Sequence, residues 1–194
     1  MTVTFAFDTE TTGLVQRGVK LDSPDQPYLV QLGMAQLNED LEIIQQVSLI
    51  IKPDGYSIPK QASDVHGITT AKAEKFGVPL RTALSVFNQL CLTSDILLGH
   101  NIQFDLSVMR SQLMRNNLPD RTKDMPFFCT LDETRNIIKI PPTDRMIAAG
   151  ITDYKSPNLG EAYIHFTGKE LVDAHDALVD VLATVEIFKR LKTA

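Results

Sequence analysis

Four carboxylates and one histidine stand in three separated patches of the chain: Asp8 and Glu10 near the start, Asp105 in the middle, and His175 with Asp180 close to the end. Residue types of this kind suit a metal-dependent nuclease. Asp8 and Glu10 follow the apolar run Val3-Thr4-Phe5-Ala6-Phe7. If that run is a strand, both acids leave the same face of it. Hard divalent cations, magnesium or manganese, would find oxygen ligands there. His175 and Asp180 flank the start of an apolar-periodic stretch that reaches Leu191. A helix would set the two within about 140° of each other, one and a half turns along. The imidazole could then sit beside the cations without binding them.

A phosphodiester is hydrolysed when a water attacks phosphorus in line and the departing oxygen is stabilised. Two cations about 4 Å apart can serve both ends of that reaction. Carboxylates gathered from three parts of a chain raise each other's pKa values until cations relieve the repulsion. His175, one water away, could take the proton of the nucleophile, because imidazole titrates near neutral pH. Activity would then rise with pH through the neutral range. Thr9, Thr11, Thr12 and Gly13 surround the first acids and offer hydroxyls and close backbone N–H groups to a terminal nucleotide. Leu14 and Phe104 are apolar neighbours. Phe104 against a terminal base or sugar would add roughly 1–3 kcal/mol with little base preference.

Each patch also has an ordinary structural reading. Strand ends often carry exposed acids. In Gly99-His100-Asn101-Ile102-Gln103-Phe104-Asp105, Asn101 could cap a helix whose first turn favours Asp105. His175-Asp176-Ala177-Leu178-Val179-Asp180 could open a solvated helix, with Asp176 an N-terminal acid and not a ligand. His66, His100 and His165 are better read as structural or surface residues, although His66 and His100 could lie near the site. Thr11 and Thr12 could fix a turn as readily as touch substrate. It is the combination that favours chemistry.

At 194 residues and 21.6 kDa, with 43% apolar and 22% charged residues, the chain fits one domain over residues 1–194. The net charge of −5 argues against coating nucleic acid by phosphate neutralisation alone. It leaves a nucleic-acid substrate open, since bound cations would supply the attraction. No run of about 18 apolar residues could span a bilayer, so no membrane partner is expected. Asp8 and Glu10 interrupt the early hydrophobic run, so no signal core is read there. The expected compartment is the cytoplasm, with Cys91 and Cys129 reduced and buried.

The elements that must position the five residues are partly legible. Residues 2–7 read as a buried strand, followed by strands over 28–37 and 43–51, the three forming an antiparallel meander. The connection over residues 15–27 is long for a hairpin loop and is expected to be functional or mobile. A helix over 79–90, a short strand over 96–99 and a helix over 104–116 follow. Residues 127–129 are a candidate fifth strand, 159–166 a short helix, and 173–192 a closing amphipathic helix. The sum is an α/β fold, a mixed sheet with helices packed over it.

Phe7-Asp8-Thr9-Glu10-Thr11-Thr12-Gly13-Leu14, the Gly99 to Asp105 segment and the His175 to Asp180 segment closely resemble the three motifs of the DEDDh 3′–5′ exonuclease superfamily. Val65-His66-Gly67-Ile68-Thr69 is similar to a segment common in that family. The resemblance runs along nearly the whole chain in the right order. It implies a ribonuclease H-like α/β fold with a five-stranded mixed sheet flanked by helices. It also implies two Mg2+ (or Mn2+) ions on Asp8, Glu10, Asp105 and Asp180, with His175 as general base. The reaction implied is release of nucleoside 5′-monophosphates from the 3′ ends of single-stranded or frayed DNA. Thr9, Thr11, Gly13, Leu14, His66, Asn101 and Phe104 are the substrate contacts expected on that basis. Within the superfamily the chain is similar to proofreading subunits of bacterial replicative polymerases, phage and mobile-element versions included. That likeness implies a DNA polymerase partner in replication or repair. The chain departs from those subunits in two respects: no C-terminal docking extension is expected, and the 15–27 loop is longer than the usual connection. A 3′–5′ exoribonuclease of the same superfamily is the alternative, since nothing in the sequence shows how a 2′-hydroxyl is received. A non-catalytic strand-end binding module would be expected to lack one of the five residues, and none is missing.

Overall fold

Side chains alternate across a strand, and in the first apolar run this alternation divides the core in two. Phe5 and Phe7 pack on Phe87, with ring centroids 5.4 and 5.1 Å away. Ala6, between them, faces Val181, Val185 and Phe188 on the opposite side. The computed structural model describes residues 2–193. Its elements in chain order are β1 (Thr4–Thr11), β2 (Leu29–Leu37), β3 (Ile43–Ile50), α1 (Lys60–His66), α2 (Thr70–Phe76), α3 (Leu80–Leu92), β4 (Ile96–Gly99), α4 (Ile102–Arg115), β5 (Phe127–Cys129), α5 (Thr130–Ile138), α6 (Asp144–Ala148), α7 (Leu159–Thr167) and α8 (Ala177–Thr193). The strands form one mixed sheet in the order β3-β2-β1-β4-β5. β1 and β3 run antiparallel to β2, whereas β4 and β5 run parallel to β1.

Helices α3 and α4 cover one face through Leu84, Phe87, Leu106 and Met109, and α8 covers the other. Central strands buried on both faces read as near-continuous apolar runs, which is why β1 and β2 stand out in the sequence. β1 continues to Thr11, so the two acids lie within the strand and not beyond it. β4 meets β1 only at Thr4 to Ala6. The outer half of β1 therefore has a free edge on that side, where the carboxyl ends of β1 and β4 part. Such a divergence leaves a crevice at strand ends, the usual place for a ligand in an open α/β sheet.

One glycine sets how close α8 can come. Gly33 of β2 is paired with Asp8, and a Cβ there would lie 2.3 Å from the backbone carbon and oxygen of Ala177. Only a residue without a side chain lets the start of α8 rest on the sheet beside Asp8. Gly33→Ala is expected to destabilise the fold by about 1–3 kcal/mol, the range for overpacking, and to lower activity by displacing the α8 terminus. Thermal melting alongside an activity assay checks this; a variant that melts and works like the parent would show that α8 has room to shift.

The 15–27 connection contains no strand or helix, but it is organised. Gln26 is buried at its centre and donates to the carbonyls of Gln16 at 3.0 Å and Val19 at 3.1 Å. Its Oε1 accepts from the Gln16 N–H at 3.0 Å. Arg115 of α4 anchors the far end by donating to the Pro27 carbonyl at 2.8 Å. Cys91 and Cys129 are free and buried, as expected. Among the described residues no helix is long and apolar enough to cross a membrane.

Candidate active site

Asp8 and Glu10 leave β1 on the side that α8 covers, as the alternation with Ala6 requires. Asp105 arrives from the other layer, in the first turn of α4. The free edge of β1 receives it: the Thr9 N–H, which has no β4 partner, donates to Asp105 Oδ1 at 2.9 Å, and the Thr9 hydroxyl donates to the same oxygen at 2.7 Å. Backbone donors rarely stay unpaired when buried, so here a carboxylate takes the place of the missing strand. Thr9 thus holds Asp105 against β1, a more definite task than the nucleotide contact its position suggested.

The start of α8 differs from expectation. A continuous helix from residue 173 would carry both His175 and Asp180, but the helix begins at Ala177. Asp173 and His175 adopt left-handed backbone conformations, with φ of 57° and 70°. His175 is therefore on a turn outside the helix, and the angular argument for its placement fails. The turn brings it back by another route. Its N–H donates to Asp180 Oδ2 at 3.2 Å, and one ligand atom from each of Glu10, His175 and Asp180 lies within 4.8 Å of the others. Asp176 ends the turn as the N-terminal acid foreseen, accepting from the N–H groups of Leu178 at 3.0 Å and Val179 at 3.3 Å.

Gln31 was not singled out by sequence reasoning, yet it ties this turn to the sheet. Its amide donates to Asp176 Oδ2 at 2.9 Å and its Oε1 accepts from the Ala177 N–H at 3.2 Å. A buried polar residue inside the apolar run of β2 was the available signal. Asn101 also differs from the capping role considered for it. It precedes α4 with a φ of 66° and its side chain makes no capping bond. Asn101 is exposed and is not among the residues lining the cleft described next.

That cleft has a volume of about 380 Å³ and is lined by Thr9, Glu10, Thr11, Gly13, Leu14, His66 and Phe104, together with Thr12 and the α1 segment around Ala62 and Val65. Leu14 is 76% exposed at its edge. Thr11 donates to the Gly13 carbonyl at 2.6 Å and so fixes the turn. The His66 ring accepts from the Ile68 N–H through Nδ1 at 3.1 Å, which places its proton on Nε2. That buried Nε2 has no hydrogen-bond partner among the described residues, and burial pushes the His66 pKa below the ordinary histidine value. His100 is structural, bonded to Thr130 Oγ1 at 2.9 Å and the Pro157 carbonyl at 3.1 Å. His165 is exposed.

Four carboxylates in one place are costly to ionise together. Burial, then the charges of Asp105, Asp180 and Glu10, raises Asp8 well above the carboxylate range. Burial and the neighbouring acids push Glu10 up to about 8. Burial lifts Asp105 to about 7 against the two Thr9 donors, and lifts Asp180 to about 6. The Asp180 Oδ1 atom is buried with no hydrogen-bond partner among the described residues. An orphaned acceptor within a set of oxygen donors that resist ionisation is what a hard divalent cation would satisfy. The residues present therefore fit such a cation.

Comparison with known proteins bears on the family and the fold. The RNase_T family model, described as an exonuclease, matches residues 5–188. The DNA polymerase III PolC-type protein of Streptococcus pyogenes serotype M18 is 33% identical over 131 residues, which are 68% of this chain and 8% of that protein. Its serotype M5 counterpart is 32% identical over the same span. The chain thus corresponds to a small part of those relatives. Escherichia coli exonuclease I in complex with a dT13 oligonucleotide superposes with a TM-score of 0.78 at 22% identity, covering 100% of this chain and 41% of that one. The zinc-bound complex of that enzyme with single-stranded DNA gives 0.77 at 22% identity with the same coverage. Exonuclease I of Methylocaldum szegediense gives 0.75 at 21% identity, again covering 100% and 41%. The five-stranded mixed sheet flanked by helices is the ribonuclease H-like exonuclease fold that the motifs implied.

Proposed function

This chain belongs to the RNase_T exonuclease family, and from that premise we propose that it removes nucleoside 5′-monophosphates from the 3′ ends of single-stranded or frayed DNA. One observation carries the reading: Asp8, Glu10, Asp105 and Asp180 meet His175 at the carboxyl end of the central strand, beside a cleft that Glu10 also lines. The likeness to exonuclease I bound to oligonucleotides supports single-stranded DNA as substrate. The PolC-type likeness supports a setting in replication or repair beside a polymerase.

Asp8, Glu10, Asp105 and Asp180 would hold a pair of Mg2+ or Mn2+ ions. Bound there, the ions supply positive charge to the phosphate oxygens and to the departing 3′ oxygen. The chain's own groups do the rest. His175 accepts the proton of the attacking water. Thr9 keeps Asp105 in place, His66 Nε2 donates to the terminal nucleotide, and Leu14 and Phe104 form its apolar walls. Incubating 3′-labelled and 5′-labelled oligonucleotides with magnesium tests the reading. Mononucleotide release from the 3′ label with progressive shortening of the 5′-labelled strand is expected; cuts within the strand and no mononucleotide would overturn it. Matched DNA and RNA strands in competition identify the preferred sugar.

The raised carboxylates also predict how cations affect stability. Each folded-state value lies above the unfolded one near 4, so without cations the folded chain retains protons that the unfolded chain releases. Stability from these groups is full below pH 4 and is lost as pH rises through about 6 to 8. Cations replace those protons, so the rise in melting temperature on adding magnesium is expected to be larger at pH 8.5 than at pH 6. An equal rise at both would show that the cluster does not bind the ion.

A further inference from the structure

A second cavity, of about 470 Å³, lies next to the cleft and is bounded by Tyr28, Tyr56, Lys52, Arg81 and Arg115. We infer that it is a subsite for upstream nucleotides of the strand whose 3′ end is being cut, with Tyr56 stacking a base and Lys52 and Arg81 holding phosphates. The inference rests on the function proposed above. Its first support is a platform already built in the free protein. Tyr28 and Tyr56 stack with ring centroids 4.1 Å apart and planes 11° from parallel. The Arg115 guanidinium lies 4.6 Å from the Tyr28 centroid. Two groups cannot share one ring face at these separations, so Tyr28 is enclosed between Arg115 and Tyr56, and Tyr56, half-buried against the cluster of Val30, Ile58, Ile68 and Ala73, contributes the remainder of its ring to the cavity wall. Both ends of the column are fixed: Arg115 donates to the Gln26 and Pro27 carbonyls at 3.4 and 2.8 Å, and the Tyr56 hydroxyl donates to the Leu29 carbonyl at 3.0 Å. A platform that is ordered in advance does not lose side-chain freedom on binding.

The second support is charge. Lys52, Arg81 and Arg115 face this cavity against the single acid Asp54, in a chain whose net charge is −5. Lys52 and Arg81 are exposed and form no ion pair among the described residues. Stacking rings alternating with cations that track a backbone is how single strands are held without sequence preference. The third support is position. The Thr12 N–H donates to the Tyr28 carbonyl at 3.0 Å and the Tyr28 N–H to Thr12 Oγ1 at 2.9 Å, so the residue lining the cleft and the one lining the cavity are joined directly. Phe104 in the cleft and Arg115 in the cavity lie on one helix, about 16 Å apart along its axis. That is reach for a strand and too far for one mononucleotide.

Cleavage of a dinucleotide and of an oligothymidylate of about twelve nucleotides tests the subsite. The dinucleotide ends before the cavity, so the wild-type KM is expected to be lower for the longer strand, by about tenfold or more from one stacked base alone. Tyr56→Ala and the double variant Lys52→Ala/Arg81→Ala should each lose most of that length advantage. Tyr56→Phe, which keeps the ring but not its bond to Leu29, should retain it and so separates stacking from structural support. In the double variant the slope of log affinity against log salt should also fall by about 0.7 for each lost phosphate contact. An equal wild-type KM for both lengths, or variants that keep the wild-type length advantage, would overturn the subsite. If the wild-type chain releases no mononucleotide from either substrate with magnesium present, the functional reading itself has failed, and the subsite with it.

Discussion

Asp8→Ala is expected to lower mononucleotide release by about 10³-fold or more, while raising the melting temperature of the protein without cations. The activity loss follows from the place of Asp8 on the central strand, where it interacts with Asp105, Asp180 and Glu10. Losing it removes one charge from the cation site, and several kcal/mol of transition-state charge stabilisation depend on that site, each 1.36 kcal/mol being tenfold in rate. The stability gain has the opposite sign for the same reason. A carboxyl buried among other acids weakens the fold at pH 8, and its removal relieves the repulsion. Asp8→Asn keeps the shape and should show both effects. Activity assays and melting curves with and without magnesium read the two halves separately; a variant less stable than the parent without cations would show that Asp8 has structural partners beyond this cluster.

His175→Ala is expected to slow turnover by about 10² to 10⁴-fold, the span for a lost general base, with the magnesium-induced rise in melting temperature preserved. His175 lies on the turn ahead of α8, exposed, and it hydrogen-bonds Asp180 through its backbone N–H and not through its ring. Removing the ring therefore leaves the carboxylates where they were. The geometry also allows a different result, because a ring nitrogen of His175 is close enough to Glu10 and Asp180 to join them around an ion. Loss of magnesium stabilisation equal to that in Asp8→Ala would identify His175 as a ligand and reject it as the base.

All five strands were legible: β1, β2 and β4 because apolar residues covered on both sides leave strong runs in the sequence, and the largely exposed edge strands β3 and β5 because short apolar runs persist there. The three patches of acids were legible for another reason: chemistry constrains residue type irrespective of local structure. The short helices α1, α2 and α6 were not. α1 buries only His66, α2 only Ala73, and α6 nothing, so none carries the apolar stripe from which helices are read. They depend on end groups instead, such as Thr69 accepting from the Lys72 N–H and Gly67 closing α1 with a φ of 70°. The overrun at α8 has a related cause. Residues 173–176, Asp-Ala-His-Asp, are compatible with a helix, and the left-handed backbone at Asp173 and His175 belongs to a turn whose end, at Asp176 and Ala177, is held by Gln31 some 145 positions away. Position in space, not local preference, decided where the histidine went.

The central position of β1 has a consequence for synthesis. Its two acids leave the ribosome before the rest of the cluster, Asp105 follows about a hundred residues later, and His175 and Asp180 come only with the turn ahead of α8 and with α8 itself, which must dock on the face that Gly33 leaves open. Chains emerge from the N-terminal side at roughly 5–20 residues per second, so roughly 9 to 34 seconds separate Asp8 from Asp180. Under the proposed function, a chain that stops before α8 lacks His175 and Asp180 and is expected to release no mononucleotide, so activity waits on the docking of α8 over the sheet.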